Sequence, residues 1–315
     1  MSTTLTQSIS IFVTSREREK QARRGLLVYF ALLIPLSIIC YVFAITTKNP
    51  LWITPALMCT PALSSIIARL ALREGVADIS LRVGGLRGLK ALLVALVLPI
   101  GIGLLAYGTG WITGLTPFTA PSLGPFQQLL PAHGVSPVLP FLVSLLLSMT
   151  IVTFFAIPLA FGEELGWRGY MLTRLIDAGV PKPILLSGLI WSVWHVPLIA
   201  AGIYVGGLSP VVSIVLFTII VTAFGYVFAR LRLATGSIWA CVLLHATWNA
   251  VIMATFNDSV TGAMSRLWIG EAGILVCIVM VVIAVVLSRM RWTMIRQLPK
   301  QGEPVHEEVL PPALI

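Results

Sequence analysis

The sequence predicts an all-α, polytopic membrane protein with about eight transmembrane helices. Only 10% of its 315 residues are charged, whereas 57% are hydrophobic. Eight apolar windows are each long enough to cross a bilayer, which takes about 20 residues for ~30 Å of hydrocarbon. Because backbone polar groups in lipid must be satisfied within the segment, each window should be a helix. A soluble or disordered chain would carry more charge.

The eight windows follow one another as a single membrane domain over residues 25–296. A polar, basic arm (1–24) precedes it, and a tail (297–315) of disordered composition follows it. The first window is too long for a signal-peptide core and no small-residue cleavage site follows it, so we expect it to be retained. The approximate spans are 26–46, 51–71, 89–109, 139–161, 182–202, 209–229, 236–256 and 268–289.

The net charge of +9 is distributed as membrane topology requires. Arginines and lysines cluster in the arm, in the second, fourth and sixth connections and in the tail, whereas only Lys48 and Arg266 fall on the other side. The positive-inside rule then predicts that both termini are cytoplasmic. The excess of basic residues is therefore explained by membrane topology. It indicates a protein embedded in a lipid bilayer and not one that binds nucleic acid.

The four cysteines lie within or beside predicted spans and form no CxxC pair. They are typical of small packing residues, and neither a disulfide framework nor a cysteine metal cluster is predicted.

A few strongly polar side chains interrupt the apolar windows. Span four ends in Glu163 and Glu164, span five contains His195, and span seven contains His245 and Asn249. An ionised side chain near the centre of a span costs roughly 2.5–3.5 kcal/mol. Such residues usually face a protein interior or a water-filled cavity.

Helix geometry divides these residues into roles. Glu164 and Arg168 are an i, i+4 pair with the glutamate on the N-terminal side, the better orientation for an ion pair. Glu163 lies about 140° around the helix from Arg168, so it has no such local partner and is predicted to be free to react. His245 and Asn249 are four apart and share one helix face.

Each of these residues also has a purely structural interpretation. The glutamates could mark a solvated helix end, His195 could bond a neighbouring carbonyl, and His245 with Asn249 could link helices by hydrogen bonds. Together, however, they fall in three segments, which would place a site between helices 4, 5 and 7. A carboxylate, two imidazoles and a carboxamide can supply a base, a proton carrier and oxyanion donors for hydrolysis.

Three motifs resemble those of the CAAX-protease and bacteriocin-processing (CPBP, Abi) family of intramembrane endopeptidases. "EELGWRG" (163–169) resembles EExxxR, "WSVWHVP" (191–197) resembles FxxxH with Trp191 in place of the usual phenylalanine, and "HATWN" (245–249) resembles HxxxN/D. The motif region is about 139–256. The resemblance implies an eight-helix protease, related to the type II CAAX prenyl endopeptidases, whose site lies in the membrane and opens to the cytoplasm.

The resemblance also implies the roles of the site residues. Glu163 would activate a water molecule with help from His195, His245 and Asn249 would stabilise the tetrahedral oxyanion, and the ion pair of the first motif would position it. The favoured mechanism is of the glutamic type, without a cofactor. Zinc is the alternative, with Glu163, His195 and His245 as ligands and water in the fourth position, although no HExxH is present.

The substrate implied is a peptide or membrane-associated protein, with or without a lipid. The residues of the first two motifs are more similar to those of the family's bacterial members. This resemblance implies that the protein lies in the bacterial cytoplasmic membrane. Two other classes stay open: a non-catalytic membrane binding or immunity protein that retains the motifs, and a proton-coupled transporter. The transporter is less favoured because neither interrupted helices nor half-chain symmetry is evident.

Overall fold

The structure is a computed structural model that describes residues 2–48, 50–129, 134, 136–262, 264–290, 293–294 and 308–309. Within these residues the chain is almost entirely helical, which confirms the all-α prediction. Thr293–Met294 and Glu308–Val309 pair as two short antiparallel strands, β1 and β2. The rest of the predicted tail, residues 297–307 and 310–315, lies outside the described residues.

Nine α-helical elements, two of them combined with π-helical turns, follow in order along the described chain. They are α1 (Ser2–Thr47), α2 (Pro50–Leu72), α3 (Gly85–Ile112), α4 (Val138–Asp177), α5 (Pro183–Ala200), α6 (Pro210–Thr235), α7 (Trp239–Ser259), α8 (Ser265–Trp268) and α9 (Ile274–Arg289). Short 3₁₀ turns occur at Ala77–Ile79 and Gly124–Leu129. Among the described residues, α1 to α7 are long and apolar enough to cross a membrane. The chain is therefore an integral, multi-pass membrane protein.

The eighth predicted span is shorter than expected. Helix α9 begins at Ile274 and has 16 residues, or about 24 Å at 1.5 Å per residue, somewhat less than the ~30 Å of the hydrocarbon core. Gly270 has a φ of 98°, which favours glycine and interrupts the helix between Trp268 and Ile274. The five residues between α8 and α9 (269–273) thus form the irregular end of a connection.

The predicted boundaries of the first and fourth spans differ most from the structure. The basic arm and the first span form one continuous helix, α1. Span four was predicted to end at residue 161, but α4 continues to Asp177. The backbone of Glu163, Glu164 and the residues after them stays helical, passing from α-helix into a π-helical turn at Trp167. The two glutamates consequently lie within a helix instead of at its end.

Glycines allow neighbouring helices to pack closely at two crossings. A Cβ added at Gly188 of α5 would lie 2.8 Å from the carbonyl oxygen of Thr222 in α6, and one at Gly225 would lie 2.6 Å from the Cα of Gly188. On α4, a Cβ at Gly166 would lie 2.4 Å from the carbonyl carbon of Pro61 in α2. Small residues of this kind let membrane helices approach closely. They bring α2, α4, α5 and α6 together around the polar residues.

The outer surface is apolar. Leucine, isoleucine, valine and phenylalanine side chains on α1, α3, α4, α6 and α9 are more than half exposed, as expected for a surface that meets lipid. The strongly polar groups of the spans are buried instead, and α7 is the most enclosed of the seven long spans. All four cysteines are free.

Candidate active site

The two adjacent glutamates of α4 are buried in the protein interior. Glu163 is 2% exposed and Glu164 is completely buried. The interpretation of these residues as a solvated helix end is therefore wrong. Because successive residues of a helix point about 100° apart, the two carboxylates reach different partners.

Glu164 connects α4 with α7. Its Oε1 accepts hydrogen bonds from Nη1 of Arg168 and from Nδ1 of His245, each at 2.8 Å. The predicted i, i+4 ion pair is thus present, and the same carboxylate also orients a histidine of another motif. Arg168 lies between two aromatic rings, with its guanidinium carbon 4.2 Å from the ring centroids of both Trp191 and Phe228.

Glu163 is not without a local partner, contrary to the sequence-based expectation. Its Oε2 accepts hydrogen bonds from the indole N–H of Trp167, at 3.2 Å, and of Trp191, at 2.9 Å. The expectation considered only charged partners, although Trp167 stands four residues further along the same helix. Oε1 accepts no hydrogen bond from another described residue, so one oxygen of this carboxylate is available to a water molecule.

His195 of α5 is held through one ring nitrogen. Its Nδ1–H donates to the carbonyl oxygen of Trp191, one turn earlier, at 2.9 Å. This is the structural interpretation considered above, but it engages only Nδ1. In the neutral ring Nε2 then carries the lone pair. Aromatic rings of Trp194, Tyr204 and Phe217 surround the imidazole at centroid distances of 4.9, 5.7 and 5.1 Å.

His245 and Asn249 lie one turn apart on α7, as predicted. The Nδ1–H of His245 donates to Glu164, so its Nε2 is also unengaged by that bond. Asn249 begins a π-helical segment, Asn249–Phe256, and its carboxamide has no hydrogen bond to another described residue. Its N–H groups are therefore available to a ligand.

A small cavity of about 30 Å³ joins the histidines and the asparagine. That volume holds about one water molecule. The residues around it are Trp191, His195, Tyr204, Phe217, Ile220, Val221, Phe224, His245, Trp248, Asn249 and Glu271. The structure thus brings together the three predicted residues of α5 and α7.

Glu163 lies beside this cavity but not on it. The ring of Trp191 stands between them, since its N–H binds Glu163 and its centroid lies 6.0 Å from that of His195 and 5.6 Å from that of His245. Glu163 is still near enough to interact electrostatically with both imidazoles. The predicted site between helices 4, 5 and 7 is therefore assembled, with one indole separating its acid from its bases.

The sequence analysis missed the outer part of the site. A larger cavity of about 340 Å³ is lined by the α5–α6 connection, the end of α7 and the connection before α9. Tyr204 and Glu271 line both cavities. Glu271 lies at the edge of the predicted eighth span, and an acid in an otherwise apolar window could have been noticed there.

Zinc, with Glu163, His195 and His245 as ligands, stays the alternative to a metal-free site. Among the described residues, no group of three histidine, cysteine or carboxylate side chains is arranged to hold a metal ion. The Nδ1 bonds of His195 and His245 leave both Nε2 atoms free, which is also the arrangement of metal-binding histidines. The chelator experiment described below separates the two alternatives.

A π-helical turn and two arginines fix the end of the first motif. The turn, Trp167–Met171, loosens the α-helical bonding of α4. Nη2 of Arg69 in α2 donates to the carbonyl oxygen of Gly169 at 2.9 Å, and Nε of Arg232 in α6 donates to that of Arg168 at 3.3 Å. Backbone acceptors that the turn exposes are thus bound from two neighbouring helices.

Asp78 anchors these arginines in the connection between α2 and α3. Its carboxylate accepts from Arg69 at 2.6 Å and from Arg174 at 2.9 Å, and its carbonyl oxygen accepts from Arg232 at 2.6 Å. Burial by itself would raise the pKa of Asp78, but the hydrogen bond and charge of Arg69 and the charge of Arg174 hold it below its ordinary value. Asp78 is therefore ionised at neutral pH and keeps the network intact.

One comparison with known proteins gives a match. Residues 142–251 match the family "Rce1-like: Type II CAAX prenyl endopeptidase Rce1-like". The matched segment is about a third of the chain and contains all three motifs, which confirms the predicted resemblance to CAAX proteases. No curated protein matches the sequence.

Proposed function

Because residues 142–251 carry the Rce1-like sequence of a CAAX-type peptidase, we propose that this protein is an intramembrane endopeptidase of the glutamic type. The observation that supports this most directly is the buried cavity on which His195, His245 and Asn249 converge, with the Glu163 carboxylate behind Trp191. A site that hydrolyses a peptide needs a base, a proton carrier and oxyanion donors. The converging groups can supply each of them.

In the proposed mechanism Glu163 deprotonates a water molecule held in the cavity by Nε2 of His195. The unengaged Oε1 of Glu163 is the acceptor for that proton. Since the indole of Trp191 separates the acid from the cavity, its ring must shift when substrate binds. Catalytic hydrogen bonds commonly tighten only once substrate is present.

His245 and Glu164 form a carboxylate–imidazole pair. With Nδ1–H held by Glu164, the ring can carry a second proton on Nε2 and donate it to the oxyanion or to the leaving amine, as in other carboxylate–histidine pairs. Asn249 adds neutral N–H donors to the same oxyanion. Glu164 and Arg168 act as positioning residues.

The substrate we propose is a peptide or a membrane-associated protein, prenylated or otherwise lipidated where the cleavage site lies at the bilayer. We also propose that both termini face the cytoplasm of a bacterial cell and that substrate arrives from that side. The position of the first motif supports the cytoplasmic side. Arg69 belongs to the basic region that we assign to the cytoplasm, and it binds the carbonyl of Gly169. Glu163 is only six residues, or about 9 Å along the helix, from that carbonyl.

The first prediction concerns the proposed base. Replacing Glu163→Gln keeps the side-chain size and the indole contacts but removes the proton acceptor, so we expect cleavage to fall about a hundredfold or more. The measurement compares purified wild type with the variant in detergent, on a panel of lipidated and plain peptides, with and without a chelator.

The matched control is Glu19→Gln, whose carboxylate pairs with Arg23 on the exposed surface of α1. It should cleave like the wild type. Cleavage that survives both Glu163→Gln and the chelator would contradict a glutamate-activated water. Cleavage that only the chelator abolishes would favour the zinc alternative, and no cleavage of any peptide by well-folded wild type would favour a binding or immunity protein.

A further inference from the structure

Glu271 is an acid on the cavity that none of the three motifs contains. It lies between α8 and α9, directly after Gly270, whose positive φ interrupts the helix. Its side chain lines the same 30 Å³ cavity as His195, His245 and Asn249. Among the residues that line this cavity, Glu271 is the one with a carboxyl group.

Both oxygens of the Glu271 carboxylate are bound by donors from other elements. Oε2 accepts from the hydroxyl of Tyr204 at 2.7 Å, and Oε1 accepts from the indole N–H of Trp248 at 3.0 Å. Tyr204 belongs to the connection after α5, and Trp248 belongs to α7. Two such bonds fix the carboxylate in one orientation and tie both donors to it.

Each donor is adjacent to a predicted catalytic residue. The Tyr204 ring stacks on the imidazole of His195, with centroids 5.7 Å apart and planes 27° apart. Trp248 immediately precedes Asn249 on α7. Glu271 thus links Tyr204, which stacks on the proposed water-binding His195, to α7. Helix α7 carries Asn249, the proposed oxyanion donor.

Packing alone does not account for an acid at this position. Burial raises the pKa of Glu271, and the hydrogen bonds from Tyr204 and Trp248 and the charge of His245 offset this only in part. The apolar rings of Phe217 and Phe224 line the same cavity. A carboxylate placed there costs free energy that an apolar side chain would not, and such costs concentrate at functional sites.

We propose that Glu271 is a positioning residue for the hydrolysis, which holds the Tyr204 ring against His195 and so fixes where Nε2 of His195 binds water. This inference rests on the proposed function for its catalytic consequence. Its structural part, the restraint on His195, stands independently of whether a peptide is cleaved.

The test is a double-mutant cycle of Glu271→Gln, Tyr204→Phe and the two together. Glutamine keeps the size of the side chain, but its single oxygen cannot serve both donors in the same way; phenylalanine keeps the ring and removes the hydroxyl. We expect each single variant to lower kcat about ten- to a hundredfold, as a displaced catalytic group does, with KM within about threefold.

The double variant should be no slower than the slower single variant, because both changes break one connection. The control is Asp258→Asn in the last turn of α7. Its carboxylate binds the backbone N–H of Ser122 and lines neither cavity, so kcat should not change. An unchanged kcat in Glu271→Gln, or losses that add, would overturn the proposal while leaving the protease function intact.

A second measurement does not depend on cleavage. The rate at which diethyl pyrocarbonate modifies His195 is followed by mass spectrometry, with His245, which Glu164 holds, as the internal reference. We expect modification of His195 to accelerate severalfold in Tyr204→Phe and in Glu271→Gln, with the rate at His245 unchanged. If neither variant changes the His195 rate, the restraint does not exist, whether or not the wild type cleaves peptides.

Discussion

The buried charges of the site are stabilised by several kinds of neighbour. Arg168 binds Glu164 at 2.8 Å and is enclosed by the rings of Trp191 and Phe228. A cation over an aromatic ring contributes about 2 kcal/mol when both are desolvated. The arginine therefore compensates a carboxylate that would otherwise stand as an isolated charge among apolar helices.

This arrangement predicts an unusual pattern of stabilities. Arg168→Met should lower the free energy of unfolding by about 3–5 kcal/mol, because it leaves the buried Glu164 charge without its ion-pair partner and with the His245 hydrogen bond alone. Adding Glu164→Gln to the same chain should recover a large part of that loss, because the double variant has no unpaired charge. Unfolding in detergent micelles measures both. A double variant less stable than Arg168→Met would contradict the interpretation.

At the residue scale, spacing predicted some contacts and not others. The Glu164–Arg168 pair followed from the i, i+4 rule, and His245 and Asn249 share a face as their spacing requires. The partners of Glu163 were missed because indole N–H donors were not considered. The Glu164–His245 bond joins residues 81 apart in sequence, and no local rule of helix geometry could have predicted it.

At the scale of the helices, Gly166 of the first motif explains how the two glutamates are buried. Gly166 stands against the backbone of Pro61 with no room for a Cβ, so α2 covers the face of α4 that carries the motif. Gly101 of α3, by contrast, has nothing within 4 Å of an added Cβ. Gly101 therefore serves as the control for Gly166: both are helical glycines, but only Gly166 lacks room for a Cβ.

Gly166→Ala should separate α2 from α4 and lower both the melting temperature and the cleavage rate, because a contact of 2.4 Å to backbone atoms cannot be relieved by a side-chain rotation. Overpacking of this kind costs about 1–3 kcal/mol. Gly101→Ala should be neutral or stabilise the protein by roughly 0.5–1 kcal/mol through helix propensity. Equal effects of the two changes, measured in detergent, would show that the close approach has no energetic importance.

Hydropathy predicted where helices occur better than where they end. The windows for α2, α5 and α6 lie within a few residues of the structure at most boundaries, because lipid selects apolar length. The glutamates caused the early end predicted for α4, since charge usually marks the membrane surface. Their burial depends on partners from α5, α6 and α7. The π-helical turns at Trp167–Met171 and Asn249–Phe256 also have no signal in the hydropathy pattern.

For the whole molecule, the orientation in the membrane decides which face substrate meets. In the topology that we propose from the alternating basic connections, both termini face the cytoplasm, and the network of Arg69, Asp78 and Arg174 belongs to that end of the bundle. The 340 Å³ cavity, however, is lined by connections assigned to the opposite face. The two ends of the bundle thus offer different approaches to the same histidines.

We predict that a membrane-impermeant peptide is cleaved by inverted vesicles, which expose the cytoplasmic face, and not by right-side-out vesicles of equal protein content. The reason is the position of the first motif close to the cytoplasmic charge network. Solubilised protein, in which both faces are accessible, provides the reference rate. Cleavage confined to right-side-out vesicles would assign the approach to the larger cavity and reverse the proposed side.

The cavity beside His195 and His245 is small, about 30 Å³, and holds about one water molecule. A polypeptide backbone is several times wider, so a peptide substrate would reach these residues only after the surrounding helices separate. Catalysis would then depend on how readily the surrounding lipid yields. The rate should follow the fluidity of the bilayer as closely as it follows the chemistry of the bond that is cut.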